Sequence, residues 1–361
     1  MIQITLAQLN YTVGDMQGNA QLMIDAAKQA QHAGSEMVVF SELALTGYYP
    51  GDLLEDQAFM QRVDTALECL RTASQQMADL HWVIGTPLRR QGVGKKLSNS
   101  LVVLKAGTIV LSYAKQLLPT YNIFDERRHF EPGPDTAPVI QLGSTRIGFL
   151  ICEDGWNDEG QDYEVNPFAR LQAAKPDLLI SINASPSDIG KRELRHKVFS
   201  QASAAHRLPL LFVNQVGGQD QIVFDGASFA VEPAKGIVFE AKRFVPDLRT
   251  LRFDQGQFLT EQGEKPTPVN AKGLSTMAFY REQIMLGLRD YARRCGFKKV
   301  VVGSSGGIDS AITLALAVQA LGSENVAAIT MPSRYSSQGS VDDSVTLCRN
   351  LGVELFTHPI A

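Results

Sequence analysis

Cysteine is scarce: Cys69, Cys152, Cys295 and Cys348 are scattered through 361 residues, with no CxxC pair and no cluster with histidine at zinc-ligand spacing. A disulfide framework and a structural zinc site are set aside on that ground. The opening MIQITLAQLN has no basic segment followed by an apolar run, and no later stretch approaches the ~20 apolar residues that a membrane span needs. The chain therefore reads as cytoplasmic, with no membrane partner. An excess of positive charge is also lacking. Lys and Arg number 34 against 38 Asp and Glu, a net charge of -4, which offers no general field to draw nucleic acid or an anionic surface. Any phosphate ligand must be held by local geometry.

Apolar residues make up 44% and charged residues 20%, enough to bury a sizeable core, and 361 residues exceed what one core usually serves. Two domains are expected. From residue 2 to about 244, short β-rich runs alternate with segments of helical spacing, the pattern of a layered α/β domain. Strands are expected over 2–9, 37–40, 82–84, 100–104, 147–151, 178–182, 210–214 and 228–231, and helices over 19–33 and 59–77. A first domain over 1–253 would give way to a linker over 254–273, where Gln, Gly, Glu, Lys, Pro and Thr dominate. Residues 274–361 then repeat helix, strand, Gly-rich turn and helix in the manner of a doubly wound parallel sheet. About 90 residues are short for a complete domain of that kind.

Three residues in the first part suit catalysis. Cys152, in GFLICEDGW, and Glu42, after MVVF, both fall at the carboxyl ends of apolar strands, where α/β sheets place ligands. Lys115 ends the hairpin-like LVVLKAGTIVLSYAK. Singly they say little, since a lone cysteine is ordinarily a small buried hydrophobe, a glutamate can cap a helix and a lysine can be a solvated charge. Together, FSELALTGY, KQLLPTYNIFDERRHFEPG and ICEDGW resemble, in order, the blocks that carry the Glu-Lys-Cys triad of the nitrilase superfamily. The chemistry suits these residue types. Glu42 takes the thiol proton as Cys152 attacks an amide carbon, Lys115 and the backbone N–H after Cys152 hold the oxyanion, and water activated by Glu42 hydrolyses the thioester. The resemblance further implies that Tyr121, Phe124 and Ser185 line a glutamine pocket, with Glu126 as an auxiliary carboxylate.

In the second part, SSGGIDS lies between an apolar strand and an apolar helix, the context of a phosphate-cradling loop. Gly306 and Gly307 allow close backbone approach to an anion, and Ser305 and Ser310 offer hydroxyls. Asp309 is an odd neighbour for an anion unless Mg²⁺ bridges it to phosphate or it caps the helix. The loop resembles that of the pyrophosphate-loop ATPases, and MPSRYSSQGSVDD resembles a segment of NAD synthetases that implies Met331 beside adenine. Ser336, Ser337 and Ser340 could serve ligand or helix cap.

Taken over the whole chain, the resemblance is to glutamine-dependent NAD synthetases. It implies a nitrilase-like αββα sandwich followed by an adenine-nucleotide α-hydrolase-like domain, and glutamine, ATP and deamido-NAD as substrates, with Mg²⁺. Ammonia from glutamine would displace AMP from the adenylated carboxylate of deamido-NAD. The resemblance also implies a homo-oligomer, and a synthetase domain whose remaining residues lie beyond position 361, so that the chain alone would hydrolyse glutamine without making NAD. Two other readings stay open at this point: a hydrolase of another small amide with an accessory nucleotide-binding domain, and a non-catalytic scaffold.

Overall fold

The computed structural model of the chain describes residues 1–157, 162–266 and 273–360. They form two compact units, residues 1–217 with 224–273, and residues 218–223 with those from 274 onward.

In the first unit the apolar runs become the central strands of two sheets. One has the spatial order Gln257–Thr260, Asp247–Asp254, Ile2–Gln8, Met37–Val39, His81–Arg89, Leu97–Lys105, Thr108–Ala114. The other runs Gly236–Glu240, Phe229–Glu232, Leu210–Asn214, Leu178–Asn183, Thr145–Ile151, Val139–Leu142. Strand alternation decides what each side chain meets. Ile4, Leu6, Val83 and Val103 from the first sheet join Phe149, Ile151, Ile180 and Val213 from the second in one core. The intervening Leu150, Leu179, Leu210 and Phe212 turn the other way, onto Phe168, Leu171, Phe199 and Ala202 of helices Pro167–Ala173 and Lys191–His206. Helices Met16–His32 and Gln57–Gln75 pack on the first sheet, burying Met23, Ala27, Val63 and Leu70. The result is the expected αββα sandwich, with each fully buried Leu or Phe worth about 1.5–3 kcal/mol over its exposed state.

The elements absent from the sequence reading are those whose inward positions are polar or few. Helix Lys191–His206 directs Arg192 and Arg195 inward, where Arg192 meets Glu240 at 2.8 Å and Arg195 meets Asp225 at 2.7 Å. The stretch 254–273 is not wholly a linker. Its Gln257–Thr260 pairs antiparallel with Asp247–Asp254 and buries Phe258 against Phe253. An edge strand needs only that one apolar side chain, so its composition resembles a connector; residues 267–272 lie outside the described residues.

In the second unit, Val300–Gly303, Val326–Thr330 and Glu354–Thr357 form a parallel sheet in sequence order. Helices Thr276–Arg294, Ile308–Leu321 and Gln338–Leu351 supply Leu288, Leu314, Ala317 and Cys348 to a core with Val302, Val326, Ala328 and Leu355. The expected parallel sheet is present, but among the described residues the helices contribute to one face only. Strands added in sequence order by right-handed crossovers keep their helices on one side, and no reversal of order occurs here. On the other face Val301 is 69% exposed and Phe356 50% exposed.

In the first unit, Ile2–Gln8, Met37–Val39 and His81–Arg89 run parallel, as do Thr145–Ile151, Leu178–Asn183 and Leu210–Asn214. The chain leaving Met37–Val39 folds directly over Gly85, where a Cβ would lie 2.4 Å from both Ser41 O and Leu43 N. These are backbone atoms and cannot yield as a side chain would. Gly85→Ala should therefore destabilise the fold by about 1–3 kcal/mol and displace residue 42, read as a lower urea midpoint with a loss of activity exceeding the loss of folded protein.

Candidate active site

Glu42, Lys115 and Cys152 leave three different strands and converge in the interior of the first unit. Glu42 is 0%, Lys115 1% and Cys152 7% exposed. The Lys115 ammonium donates to Glu42 Oε1 at 2.7 Å and to Glu126 Oε1 at 2.8 Å, so Glu126 belongs to the centre of the site and not to its margin. Asn99 Nδ2 repeats this bridge, donating to Glu42 Oε1 at 2.8 Å and Glu126 Oε2 at 3.2 Å. Tyr48 OH donates to Glu126 Oε1 at 2.8 Å, and the backbone N–H of Ala184 to Glu42 Oε2 at 3.0 Å. Asn99, Tyr48 and Ala184 escaped the sequence reading. For Tyr48 a signal was present, since it lies inside the LTGYYPG turn; Asn99, between Ser98 and Ser100, has nothing in its neighbours to single it out.

The electrostatics assign the protons. Burial raises the Cys152 thiol well above its ordinary value, the Glu42 carboxylate adds to this, and Lys115 pulls it back only in part. The raised value favours a neutral thiol at rest, which would have to lose its proton to act as a nucleophile. Burial opposes the charge on Lys115, but Glu126 and Glu42 outweigh it and raise its pKa well above the usual lysine value. Lys115 is a permanent cation suited to stabilising negative charge and unsuited to acting as a base. Burial also raises the Glu126 carboxyl, against the pull of Lys115 and with the push of Glu42. Cys152 itself has φ 44°, a left-handed conformation that costs a side-chain-bearing residue about 1–2 kcal/mol. The turn it opens, Cys152–Gly155, takes the sulfur off the line of the strand.

Around the thiol lie groups of opposite charge. Glu153 is buried and accepts from Tyr121 OH at 3.0 Å and Tyr163 OH at 2.9 Å. Lys191 lies over the Trp156 ring with Nζ 4.1 Å from its centroid; burial lowers its pKa, while the charges of Glu153 and Asp188 act to raise it. Tyr121 and Phe124, expected in the pocket, form an edge-on pair with centroids 5.4 Å apart, and Tyr121 remains 46% exposed. Ser185 is buried, its backbone N–H donating to Asn214 Oδ1 at 2.9 Å and its carbonyl accepting from Asn214 Nδ2 at 3.1 Å.

The second unit holds a separate cavity of about 300 Å³, lined in part by Ser304, Ser305, Thr330, Met331, Ser336 and Ser340. Ser305 and Met331, which are 26 positions apart, thus share one wall-lined space. Gly306 has φ +78°, and a Cβ there would lie 2.3 Å from Ser340 O, so glycine is required by both conformation and space. Ser310 Oγ donates to Gly307 O at 2.9 Å and lies 3.1 Å from Ser305 Oγ, which shapes the loop. Gly307 occupies the cap position of helix Ile308–Leu321, so Asp309 does not cap it but stands exposed in its first turn. Ser337 caps helix Gln338–Leu351 by accepting from Ser340 N at 3.2 Å, whereas Ser336 and Ser340 line the cavity.

Removing the ammonium from the first site would leave two adjacent carboxyls without their counter-ion. Lys115→Met should cost about 3–5 kcal/mol at neutral pH. The unpaired carboxyls would then hold protons more tightly in the folded than in the unfolded state, so the deficit should shrink as pH falls. Urea titrations at neutral and mildly acid pH check both the size and the sign.

The sequence model of the carbon–nitrogen hydrolase family matches residues 3–257, and that of NAD synthase matches residues 280–361. A glutamine-dependent NAD(+) synthetase of Synechocystis sp. is 40% identical over 371 residues, covering 100% of this chain and 65% of the relative. One from Thermotoga maritima is 34% identical, covering 99% and 65%. Among solved structures, the glutamine-dependent NAD+ synthetase of Acinetobacter baumannii in complex with ADP superposes with a TM-score of 0.89 at 33% identity, covering 99% of this chain and 65% of that one. An amidase of the nitrilase superfamily from Nesterenkonia, 24% identical with a TM-score of 0.60, shares the fold over 69% of this chain and 89% of its own. The chain thus spans about 65% of the length of the curated relatives it matches. With its family model covering the whole triad and most of the sequence, the chain belongs to the carbon–nitrogen hydrolase family.

Proposed function

We propose that this chain acts as a glutamine-dependent NAD synthetase, in which the first unit releases ammonia from glutamine and the second binds ATP for the activation of deamido-NAD. The observation that carries the glutaminase reading is that Lys191 and Glu153, of opposite charge, both lie near enough to Cys152 to interact with it electrostatically. Glutamine differs from a simple amide by its α-carboxylate and α-ammonium, and a cation and an anion set about one thiol complement both. Tyr121 and Tyr163 hold the Glu153 carboxylate, and Trp156 carries Lys191.

In the glutaminase step, Cys152 Sγ attacks the side-chain amide carbon while Glu42 takes the thiol proton. The negative charge that develops on the amide oxygen is met by Lys115 and by the backbone N–H of Glu153, a kind of contribution worth about 2.7–4 kcal/mol per donor in measured cases. Glu42 returns the proton to the departing nitrogen, ammonia leaves and a thioester remains. Water then yields a proton to Glu42 as it adds to the thioester, and glutamate departs as the thiol is restored. Asn99 and Lys115, bonded to Glu42 Oε1, fix one carboxylate oxygen, and Oε2, which among the described residues accepts only from Ala184 N, keeps a second lone pair for proton transfer.

In the second unit, the backbone at Gly306 and Gly307 with the start of helix Ile308–Leu321 suits the phosphates of ATP, and Met331 with Ser336 suits its adenosine. Asp309 suits Mg²⁺, an ion that commonly takes one or two carboxylates together with substrate phosphates and water. ATP would transfer AMP to the carboxylate of deamido-NAD, and ammonia would displace AMP to give NAD.

The test separates the two activities. Cys152→Ala should abolish glutamine hydrolysis and leave NAD formation from added ammonia intact in the protein as the cell makes it; equal loss of both would falsify the division of labour. Lys191→Ala should raise KM for glutamine by roughly 10²-fold with a smaller effect on kcat, the signature of lost ground-state binding. Unchanged discrimination between glutamine and a simple aliphatic amide in that variant would favour a general amidase.

A further inference from the structure

We infer that Asp154 is a positioning residue for the glutaminase reaction: one buried carboxylate ties the turn that carries Cys152 to the segment that carries Lys115. This rests on the catalytic reading of those two residues. Asp154 is 0% exposed and its two oxygens accept four hydrogen bonds. Oδ2 accepts from Ile151 N at 3.2 Å and from Tyr113 OH at 2.8 Å. Oδ1 accepts from Gln116 N at 3.0 Å and from Leu117 N at 2.9 Å. The bond to Ile151 closes the turn immediately before the left-handed Cys152. The bonds to residues 116 and 117 fix the chain immediately after Lys115, and Tyr113 lies two residues before it. Strands Thr108–Ala114 and Thr145–Ile151 belong to different sheets. No ladder bonds set their relative placement, and this carboxylate supplies the polar link.

The chemistry of the link is directional. All four partners are placed as donors, so an ionised carboxylate satisfies them and a neutral acid does not: its new O–H would face N–H groups on one side, and only Tyr113 could turn to accept it. The titratable groups about it are Tyr113, Lys115 and Arg170, with the adjoining Cys152 and Glu153. Burial raises the Asp154 carboxyl to about 6, against the lowering influence of the Leu117 bond and of Lys115. Between its ordinary value and about 6 the folded state binds this proton more tightly than the unfolded chain does. For this group, then, acid favours the fold while weakening the link, and stability from it is lost as pH rises through about 6. A decline in activity below that pH without loss of folded protein is the mark of positioning as opposed to unfolding.

The decisive variant is Asp154→Asn, which keeps the shape but presents an NH₂ group to donors. It should lower kcat for glutamine hydrolysis by roughly 100-fold while KM stays within about twofold, since Lys191 and Glu153 remain. Alkylation of Cys152 by iodoacetamide, which needs no glutamine recognition, should slow in the same variant. The acid limb of kcat near pH 6 should flatten at the lowered level. Tyr113→Phe removes one of the four bonds and should give a smaller loss of kcat, roughly tenfold, in a protein that folds. If Asp154→Asn does not fold, Tyr113→Phe decides the matter. Wild-type kcat and alkylation rate in a folded Asp154→Asn, or in Tyr113→Phe where that variant must decide, would overturn the inference, as would a rise in KM at constant kcat. If the wild-type protein does not hydrolyse glutamine, the glutaminase reading fails, and the alkylation rates alone still test the link.

Discussion

A single ammonium, Lys115, held between two buried carboxylates is the constraint around which the first unit is arranged. Taking such ions out of water costs several kcal/mol each, and their mutual attraction repays this only when the remaining valences are also filled. The structure fills them with Asn99, Tyr48 and the N–H of Ala184, each from a different part of the chain. Those partners require that the strand ends of both sheets meet at one place, which in turn requires the tight sheet-to-sheet packing of Ile4, Leu6, Phe149 and Ile180. Site and fold are thus one problem. Loosening the core would expose charges, and removing a charge would leave its partner stranded.

On the proposed function, the same burial sets the mode of catalysis. A cysteine paired with a protonated imidazole can rest as a thiolate, but burial raises the pKa of Cys152 and the neighbouring carboxylates add to that. It therefore rests protonated, and deprotonation must accompany attack. Glu42 adds to what burial does in keeping the thiolate from accumulating, so the group that would activate the nucleophile also helps hold it in reserve. The cation that could have stabilised a thiolate is engaged by Glu42 and Glu126 and offers its remaining capacity to the oxyanion.

Much of this was legible in the residues because the triad follows strands made of unbroken apolar runs, which are easily placed. Glu42, Lys115 and Cys152 could be located from what precedes them. The central role of Glu126 could not: it sits on a 3-10 turn, Glu126–Arg128, inside a polar loop where spacing carries no directional information. Helix Lys191–His206 was missed for a related reason. Its buried positions include two arginines whose partners, Glu240 and Asp225, lie 48 and 30 residues away, and periodicity of apolar residues cannot register a face satisfied by charge. In the second unit the Gly-rich loop was clear, yet the division of labour among Ser336, Ser337 and Ser340 depends on which one meets the start of helix Gln338–Leu351, a matter of a single residue's phase.

On the proposed function, the two sites would solve opposite electrostatic problems. An amide substrate is neutral at the reacting carbon, so the protein must bring the charges that drive the reaction and must bury them to make them count; hence Glu42, Lys115 and Glu126 at 0–1% exposure. A nucleotide carries its own charge, so its loop needs only donors and close approach. The second unit has hydroxyls, glycines and a helix start about its cavity, and an exposed Asp309 that would cost no desolvation until a cation and phosphate arrived together. Rigidity follows the same division. Buried charges demand a fixed frame in which every valence is filled before substrate binds, whereas a site whose charge arrives with the ligand can be completed by it.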